Sequence, residues 1–575
     1  MRVSQLVAEI LSELGAKHIF GVSGGASLHL LKAISDHPNL ILTCLHHEQS
    51  VAMAADAYSR ISNKIGVGVA TSGPGATNLI TGIAGAYFDS VPVVFLTGQV
   101  STNRMKGETQ VRQIGFQETP IVEMVKPITK YAVTLDNART VESEIRKAIS
   151  IAQSGRKGPV LIDIPDDIQR IEIELDRQKY ATDISVKKPI SSSYQEITEA
   201  LFRSSKPIFV CGAGIQLTSK RDFLISQLKR LSVPTALTWG AKDLLPSSCD
   251  FLLGTFGTHG DRYVNNALNN ADLIISIGSR LDLKATGSPA ATFAPKATKI
   301  MIDVDSSEIH KFDKSGLQIT HFLNIDFESS EFSSLLSNFK LNQFRLIAWK
   351  KELAELQSTF PLENRKFSGA GVNPYIFIDR LACSLSIPAN LIVDTGCAIA
   401  WTMQAWKTKE NQRIFHDFNN TAMGWSIPAT IASALASSYK THICLVGDGS
   451  LMMALSDLST LASLPFKSKI VILNNSGYAM IKQTQDQWFE GDYFASDSGT
   501  ALKFPNFRKV AEAMNLVYFS AETDSEVNEV IGQMLSENRP LVFEVFIQES
   551  ARVVPIVKFG NPNHLMEPGL ADFSK

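Results

Sequence analysis

The sequence has little of what would place it outside a reducing, aqueous compartment. Its 575 residues hold six cysteines (Cys44, Cys211, Cys249, Cys383, Cys397 and Cys444) that are scattered, several of them inside apolar runs. That spacing gives neither a disulfide framework nor a zinc site, and the thiols read as buried and free. Charge of one sign is not in excess: 55 Lys and Arg face 57 Asp and Glu, for a net charge of −2. The electrostatic footprint of a nucleic-acid or anionic-membrane partner is therefore missing. No uncharged apolar run reaches the roughly 18 residues that a membrane-crossing helix needs. The opening stretch, Met1-Arg2-Val3-Ser4-Gln5, leads into an amphipathic segment with Glu9 and Glu13, which is not a signal-peptide pattern. The expectation is a cytoplasmic protein with no nucleic-acid and no membrane partner. What is present is a globular balance, 44% hydrophobic and 19% charged, in a chain long enough for about three or four domains.

The most informative stretch runs from Gly447 to Gly477. An apolar run, Ile443-Cys444-Leu445-Val446, ends in Gly447-Asp448-Gly449-Ser450, and a second, Ile470-Val471-Ile472-Leu473, ends in Asn474-Asn475-Ser476-Gly477. Each reads as a buried parallel strand, and Leu451 to Ala462 between them has helical spacing. In such βαβ units ligands bind at the carboxyl ends of the strands. The donors suit a magnesium diphosphate. Asp448 offers a carboxylate, Asn475 an amide oxygen and Gly477 a backbone carbonyl, and Mg²⁺ takes its remaining ligands from phosphate and water. Gly447 and Gly449 let the backbone approach phosphate, and the following helix N-terminus favours negative charge. The plain alternative is two Gly- and Asn-rich turns.

This pattern resembles the diphosphate- and metal-binding motif of thiamine diphosphate (ThDP) enzymes. The N-terminal region resembles the other half of such a site. There, strands at 18–22, 41–45, 66–70, 93–98 and 160–165 alternate with helical patterns. Ser23-Gly24-Gly25-Ala26, His47-Glu48-Gln49 and Gly73-Pro74-Gly75-Ala76-Thr77-Asn78 stand at strand ends. By itself Glu48 reads as a carboxylate favoured by a helix N-terminus. The resemblance implies instead that Glu48 hydrogen-bonds the cofactor's aminopyrimidine N1′ and promotes the imino tautomer that removes the thiazolium proton, with Gly25, Pro74 and Asn78 nearby. A carboxyl group in an apolar site can share a proton in this way.

Ile114-Gly115-Phe116-Gln117-Glu118 and Lys126-Pro127-Ile128-Thr129-Lys130 narrow the resemblance to acetolactate synthases. In that branch Phe116 and Gln117 would line the pocket above the reactive carbon; core packing is the other reading of Phe116. In the last third, Asp394-Thr395-Gly396 ends a strand, and Asn420-Thr421-Ala422-Met423-Gly424 resembles the segment whose methionine props the bent cofactor. A methionine as core filler is the alternative. Tyr478 and Ser450 belong to the same diphosphate side. In the middle, Gly212 and Gly214, Arg280, Asp305 and Asp326 follow strands and resemble a central domain that binds FAD. Arg280 would face the diphosphate, and Asp305 and Asp326 the adenosine end. The same fold without a flavin is the other reading.

The fold expected is α/β, three doubly wound domains with mainly parallel sheets: pyrimidine-binding (1–170), central (193–340) and diphosphate-binding (373–550), then a tail (551–575). Linkers are expected over 171–192 and 341–372. The resemblance implies ThDP, Mg²⁺ and a structural FAD, a 2-oxo acid substrate with a carbonyl acceptor, and a homodimer or homotetramer sharing its sites. The acceptor side departs from the family pattern. Lys284 stands where an arginine binds the acceptor carboxylate, and the two are not interchangeable. Thr484 stands where a tryptophan is usual, four residues after Met480, and loss of an indole enlarges a pocket. Asp166 replaces a lysine, and Cys397-Ala398 replace Gln-His. Those changes open two alternatives, a larger or uncharged acceptor (an aldehyde, ketone or nucleotide-linked keto-sugar) or a simple 2-oxo acid decarboxylase.

Overall fold

The computed structural model describes residues 1–174, 193–359, 365–386, 388–439 and 441–569. The chain folds around three six-stranded parallel sheets, as expected. The first contains β1 (His18–Gly21), β2 (Ile41–Cys44), β3 (Gly66–Ala70), β4 (Val93–Gln99), β5 (Tyr131–Thr134) and β6 (Val160–Pro165), in the order β2-β1-β3-β4-β6-β5. The middle sheet contains β7 (Pro207–Cys211), β8 (Thr235–Leu237), β9 (Leu252–Thr255), β10 (Leu273–Ile277), β11 (Thr298–Asp303) and β12 (His321–Asn324). Its order, β9-β8-β7-β10-β11-β12, is that of dinucleotide-binding sheets. The third contains β13 (Ala389–Val393), β14 (Gln412–Phe415), β15 (Thr441–Gly447), β16 (Lys467–Asn474), β17 (Val517–Ala521) and β18 (Leu541–Phe546). It repeats the order of the first: β14-β13-β15-β16-β18-β17.

Helices pack against the sheets, and interior strands are buried along all or nearly all of their length. Every residue of β3, β4, β6, β7, β10 and β13 is buried, which is why they read as continuous apolar runs rather than alternating ones. The six thiols are all free, as read, but only Cys211, Cys397 and Cys444 are buried; Cys44 and Cys383 are exposed, because each lies near the end of its element. Of the expected linker over 171–192, residues 175–192 lie outside the described residues. Of the one over 341–372, residues 360–364 do so too, but Gln343–Thr359 is a helix. Leu346, Trp349 and Leu353 on it are buried, and the Trp349 indole N–H donates to Pro207 O at 3.3 Å. That helix therefore packs on the middle sheet as a covering layer.

The first and third sheets meet through the helices Glu48–Ser62 and Ser426–Ala436, whose packing joins the two cores into one. Both helices are rich in Ala and Ser, and short side chains let the backbones approach closely. The first is started by His47, whose Nδ1 accepts from Gln49 N, and stopped by Asn63 in the left-handed region. The tail straps the third domain to the middle one. Its short hairpin, β19 (Ile556–Val557) with β20 (Met566–Glu567), bonds Val557 N to Thr258 O, and the Gln483 side-chain amide holds the Val553 backbone by both its N–H and its C=O. Residues 570–575 of the expected tail lie outside the described residues.

Candidate active site

Strand register brings together the residues expected on the diphosphate side. Val393 pairs with Leu445 and Gly447 with Leu473, so three strand ends stand side by side at the point where the sheet order reverses, the usual ligand position. Asp448 is 1% exposed there. Its oxygens accept from Gly449 N at 2.8 Å and Gly477 N at 3.0 Å, and no Lys or Arg among the described residues forms an ion pair with it. Burial pushes its carboxyl up to about 7. A buried carboxylate of this kind fits a divalent cation that would hold it ionised. Among the described residues no three His, Cys, Asp or Glu side chains gather as a metal cluster, and the donor set is the mixed one that Mg²⁺ accepts: Asp448, the buried Asn475 and the Gly477 carbonyl. Asn474 is already engaged, with its Nδ2 on Glu544 at 2.6 Å and its Oδ1 accepting from Ser476 N.

Gly447 and Gly396 open onto free space, since a Cβ at either would meet nothing within 4 Å. That gap leaves room for a phosphate beside Thr395 and the turn that holds the buried Ser450. Gly449 is different: a Cβ there would lie 2.1 Å from the Tyr478 ring, so Tyr478 packs directly on the bare backbone. Both oxygens of Asp394 are taken by backbone N–H groups: its Oδ1 accepts from Thr395 N and Gly424 N, and its Oδ2 from Ser426 N. It staples the end of β13 to the loop that carries the half-buried Met423.

On the other side, Glu48 opens its helix as expected, half-buried at the rim of the first sheet. Its Oε2 accepts from Asn78 Nδ2 at 2.9 Å, and a Cβ on Gly75 would come within 3.2 Å of its Oε1. Pro74 and Gly25 are exposed. Gln117, at φ 65°, leans on Gly73, where a Cβ would stand 2.9 Å from the Gln117 Cβ. Phe116 is 86% exposed, which removes the core-packing reading. No hydrogen bond joins the Glu48 group to the Asp448 group within the chain among the described residues.

The middle sheet borders a cavity of about 560 Å³ where all three domains meet. Gly214, Arg280 and Asp326 line it, at the β7–β10 reversal. A Cβ on Gly212 would lie 2.3 Å from Gly278 O, so that glycine serves the packing of two strand ends. Asp305 is not among the lining residues. Its carboxylate is taken by Arg156 at 2.8 Å and by Ser307 N. Arg280 is itself paired with Glu308 at 3.0 Å. Lys284 sits at the start of a short helix capped by Asp282, and desolvation of its ammonium lowers its pKa. Met480 is half-buried and accepts at its carbonyl from Thr484 Oγ1. No hydrogen bond joins Lys284 to either among the described residues.

Two residues escaped the sequence reading. Thr71 fills the space between the two glycine turns: its Oγ1 accepts from Ala26 N, and a Cβ on Gly24 would lie 2.5 Å from it. Asp417 is buried. Only the Gly-rich character of the flanking turns could have hinted at the first; nothing local signals the second.

Family models match the chain in three places: the thiamine pyrophosphate enzyme N-terminal TPP binding domain over residues 1–124, the central domain over 194–324, and the C-terminal TPP binding domain over 394–545. Among similar proteins, the acetolactate synthase large subunit of Lactococcus lactis subsp. lactis (strain IL1403) is 31% identical over 566 residues, covering 97% of this chain and 94% of that protein. Acetolactate synthase 1, chloroplastic, of Nicotiana tabacum is 30% identical, covering 97% and 83%. The acetolactate synthase large subunit of Porphyra purpurea is 31% identical, covering 96% and 93%.

Proposed function

This chain belongs to the thiamine pyrophosphate enzyme family, and from that premise we propose a ThDP- and Mg²⁺-dependent carboligase of the acetolactate synthase type. It decarboxylates a 2-oxo acid, pyruvate first, and joins the two-carbon unit to an acceptor carbonyl. The observation that carries the reading is the pair of prepared half-sites: Glu48 held by Asn78, and Asp448 buried without a counter-ion among the described residues, beside Asn475 and Gly477. ThDP, when bound, supplies a carbon nucleophile and an electron sink for the decarboxylation. Asp448, Asn475 and the Gly477 carbonyl would hold Mg²⁺, and the open backbone at Gly447 and Gly396 would take the diphosphate. Tyr478 walls that side. Glu48 would exchange a proton with the ring nitrogen N1′, Met423 would support the cofactor from below, and Phe116 and Gln117 would close the pocket against water.

The similarity to acetolactate synthases over nearly the whole chain favours a second 2-oxo acid as acceptor over an aldehyde, a ketone or a keto-sugar, and over simple decarboxylation. Lys284, Met480 and Thr484 are the residues we assign to the acceptor side. The three-domain cavity suits a structural FAD, with Gly214, Arg280 and Asp326 on its wall; Asp305 is spent on Arg156 and is left out. Glu48 and Asp448 belong to different domains, with no hydrogen bond between their groups within one chain among the described residues; a homodimer or homotetramer would complete each site, with Glu48 of one copy and Asp448 of another. No helix among the described residues is long and apolar enough to cross a membrane, and six free thiols accord with the cytoplasm.

The test is a product assay with ThDP, Mg²⁺ and FAD. Rapid acetolactate from pyruvate alone is expected. Pyruvate consumption that requires an added aldehyde or sugar, or release of acetaldehyde only, would overturn the assignment. Absence of flavin from denatured, purified protein and no rise in activity on adding FAD would remove the cavity assignment alone.

A further inference from the structure

Met423 is strung between two buried carboxylates. One residue before it, Ala422 N donates to Asp417 Oδ2 at 3.1 Å; one residue after it, Gly424 N donates to Asp394 Oδ1 at 3.2 Å. Asp394 belongs to the third sheet. Asp417 leans the other way, onto the first domain, where a Cβ on Gly85 would stand 3.4 Å from both of its oxygens. The same loop is fixed to that domain by Asp89, which accepts from Phe418 N at 3.0 Å and Asn419 N at 3.1 Å and also from Arg60 at 2.7 Å. Arg60 in turn donates to His416 O and to Asp56, which also accepts from the Trp425 indole N–H at 2.9 Å.

The arrangement is over-determined in the way functional loops are. Thr421 is β-branched yet sits at φ 52°, a region such residues avoid and occupy only where their surroundings force it. Asp417 is 6% exposed, and its Oδ1 has no hydrogen-bond partner among the described residues. Burial, and then the neighbouring Asp89, push its carboxyl up to about 7. A side chain kept there at such a cost is not explained by stability, because an apolar residue would fill the space more favourably.

We propose that Asp417, Asp89 and Arg60 are positioning residues for the reaction, fixing the 416–425 loop between the first and third domains so that Met423 is presented to the cofactor in one place. The inference rests on the reading of Met423 as the cofactor's support. The contact that matters is the acceptor oxygen of Asp417 toward Ala422 N–H, not its charge. Asn419, on the same loop, also lines the three-domain cavity, so a ligand there touches the segment that Asp89 fixes.

The test uses the full chain loaded with ThDP and Mg²⁺, comparing Asp417→Ala with Asp417→Asn, which keeps an acceptor oxygen. Misplacement of a reacting group by a fraction of an ångström predicts a fall in kcat of about tenfold or more for Asp417→Ala, with KM for pyruvate within about threefold and an altered near-ultraviolet circular dichroism of the bound cofactor. Asp417→Asn is expected to recover kcat to within about threefold of the unmodified protein. If Asp417→Ala lowers the melting temperature but leaves kcat and the dichroism unchanged, the role is structural and the proposal fails. It fails equally if the asparagine variant is as slow as the alanine one. Should Asp417→Ala not fold, Asp89→Asn decides, because it keeps the shape of the side chain but leaves one acceptor oxygen fewer to hold Phe418 N–H, Asn419 N–H and Arg60. A kcat reduced at normal melting temperature supports positioning, and an unchanged kcat refutes it. An unmodified protein with no ThDP-dependent turnover overturns the underlying reading, and the inference with it.

Discussion

Gly449→Ala adds one carbon where the structure has no room for it. The new Cβ would lie 2.1 Å and 2.6 Å from two atoms of the Tyr478 ring and 3.4 Å from a third. Contacts below about 3 Å do not persist in a packed interior, so the ring must move. Tyr478 immediately follows Gly477, whose N–H holds Asp448 Oδ2 at 3.0 Å, and its own N–H is tied to Ser496 O at 2.9 Å. Displacing the ring therefore pulls on the loop proposed to hold Mg²⁺. Inserted methylenes in packed sites cost about 1–3 kcal/mol. If half of a cost of about 2 kcal/mol falls on the cofactor-competent loop, ThDP binding weakens by about fivefold, and by about 30-fold if all of it does. The assay pairs urea denaturation of the apoprotein with ThDP titration of activity at saturating Mg²⁺. A second variant, Gly449→Ala with Tyr478→Ala, removes the obstacle. Coupling of more than about 1 kcal/mol between the two changes is expected. If Gly449→Ala binds ThDP within about twofold of the unmodified protein and loses no stability, the ring does not stand where the structure has it and the argument is wrong.

Three further outcomes are expected. Glu48→Gln should lower kcat by about 10²- to 10⁴-fold, the usual worth of proton transfer by a positioned side chain, while ThDP affinity stays within about tenfold; near-normal turnover would take the proton-transfer role from Glu48. Asp448→Ala should abolish the rise in melting temperature that ThDP with Mg²⁺ gives, a rise equivalent to about 2.7 kcal/mol at a hundredfold excess over Kd; an undiminished rise would place the metal elsewhere. Burial pushes Asp163 up to about 7, so between about pH 4 and pH 7 the folded chain holds that proton and the unfolded chain does not, and the group costs stability as the pH rises through that window. Asp163→Asn has no such proton, so its stability relative to the unmodified protein should rise by roughly 1 kcal/mol per pH unit across the window, measured by urea denaturation; a flat difference contradicts the burial of that charge.

The ends of the interior strands are legible without a structure. Strands covered on both faces must be apolar throughout, so runs such as Ile443 to Val446 and Ile470 to Leu473 stand out with no polar residue alternating through them. The residues just beyond them, Gly447-Asp448-Gly449 and Asn475, are set by the same stretch of chain, and so is Glu48 after β2. Four of the strands that this pattern misses, β5, β9, β14 and β17, are sheet edges. They are short and mixed, as in Gln412-Arg413-Ile414-Phe415, because an edge has less to bury. β18 is interior but is broken by Glu544, which Asn474 and Tyr518 hold.

How those ends are used depends on packing between elements far apart in the chain. Asp394 and Asp305 have the positions of ligand contacts, yet the oxygens of Asp394 are taken by backbone N–H groups and the carboxylate of Asp305 by Arg156. Phe116 could have been core or pocket; only the packing shows it exposed. The Asp417–Asp89–Arg60 group, in which Asp417 stands more than 300 residues along the chain from the other two, has no local pattern, because a buried charge finds its partners through the fold rather than through spacing along a helix or strand. The cavity between the three domains is likewise a property of how sheets are set against each other, which no single element encodes.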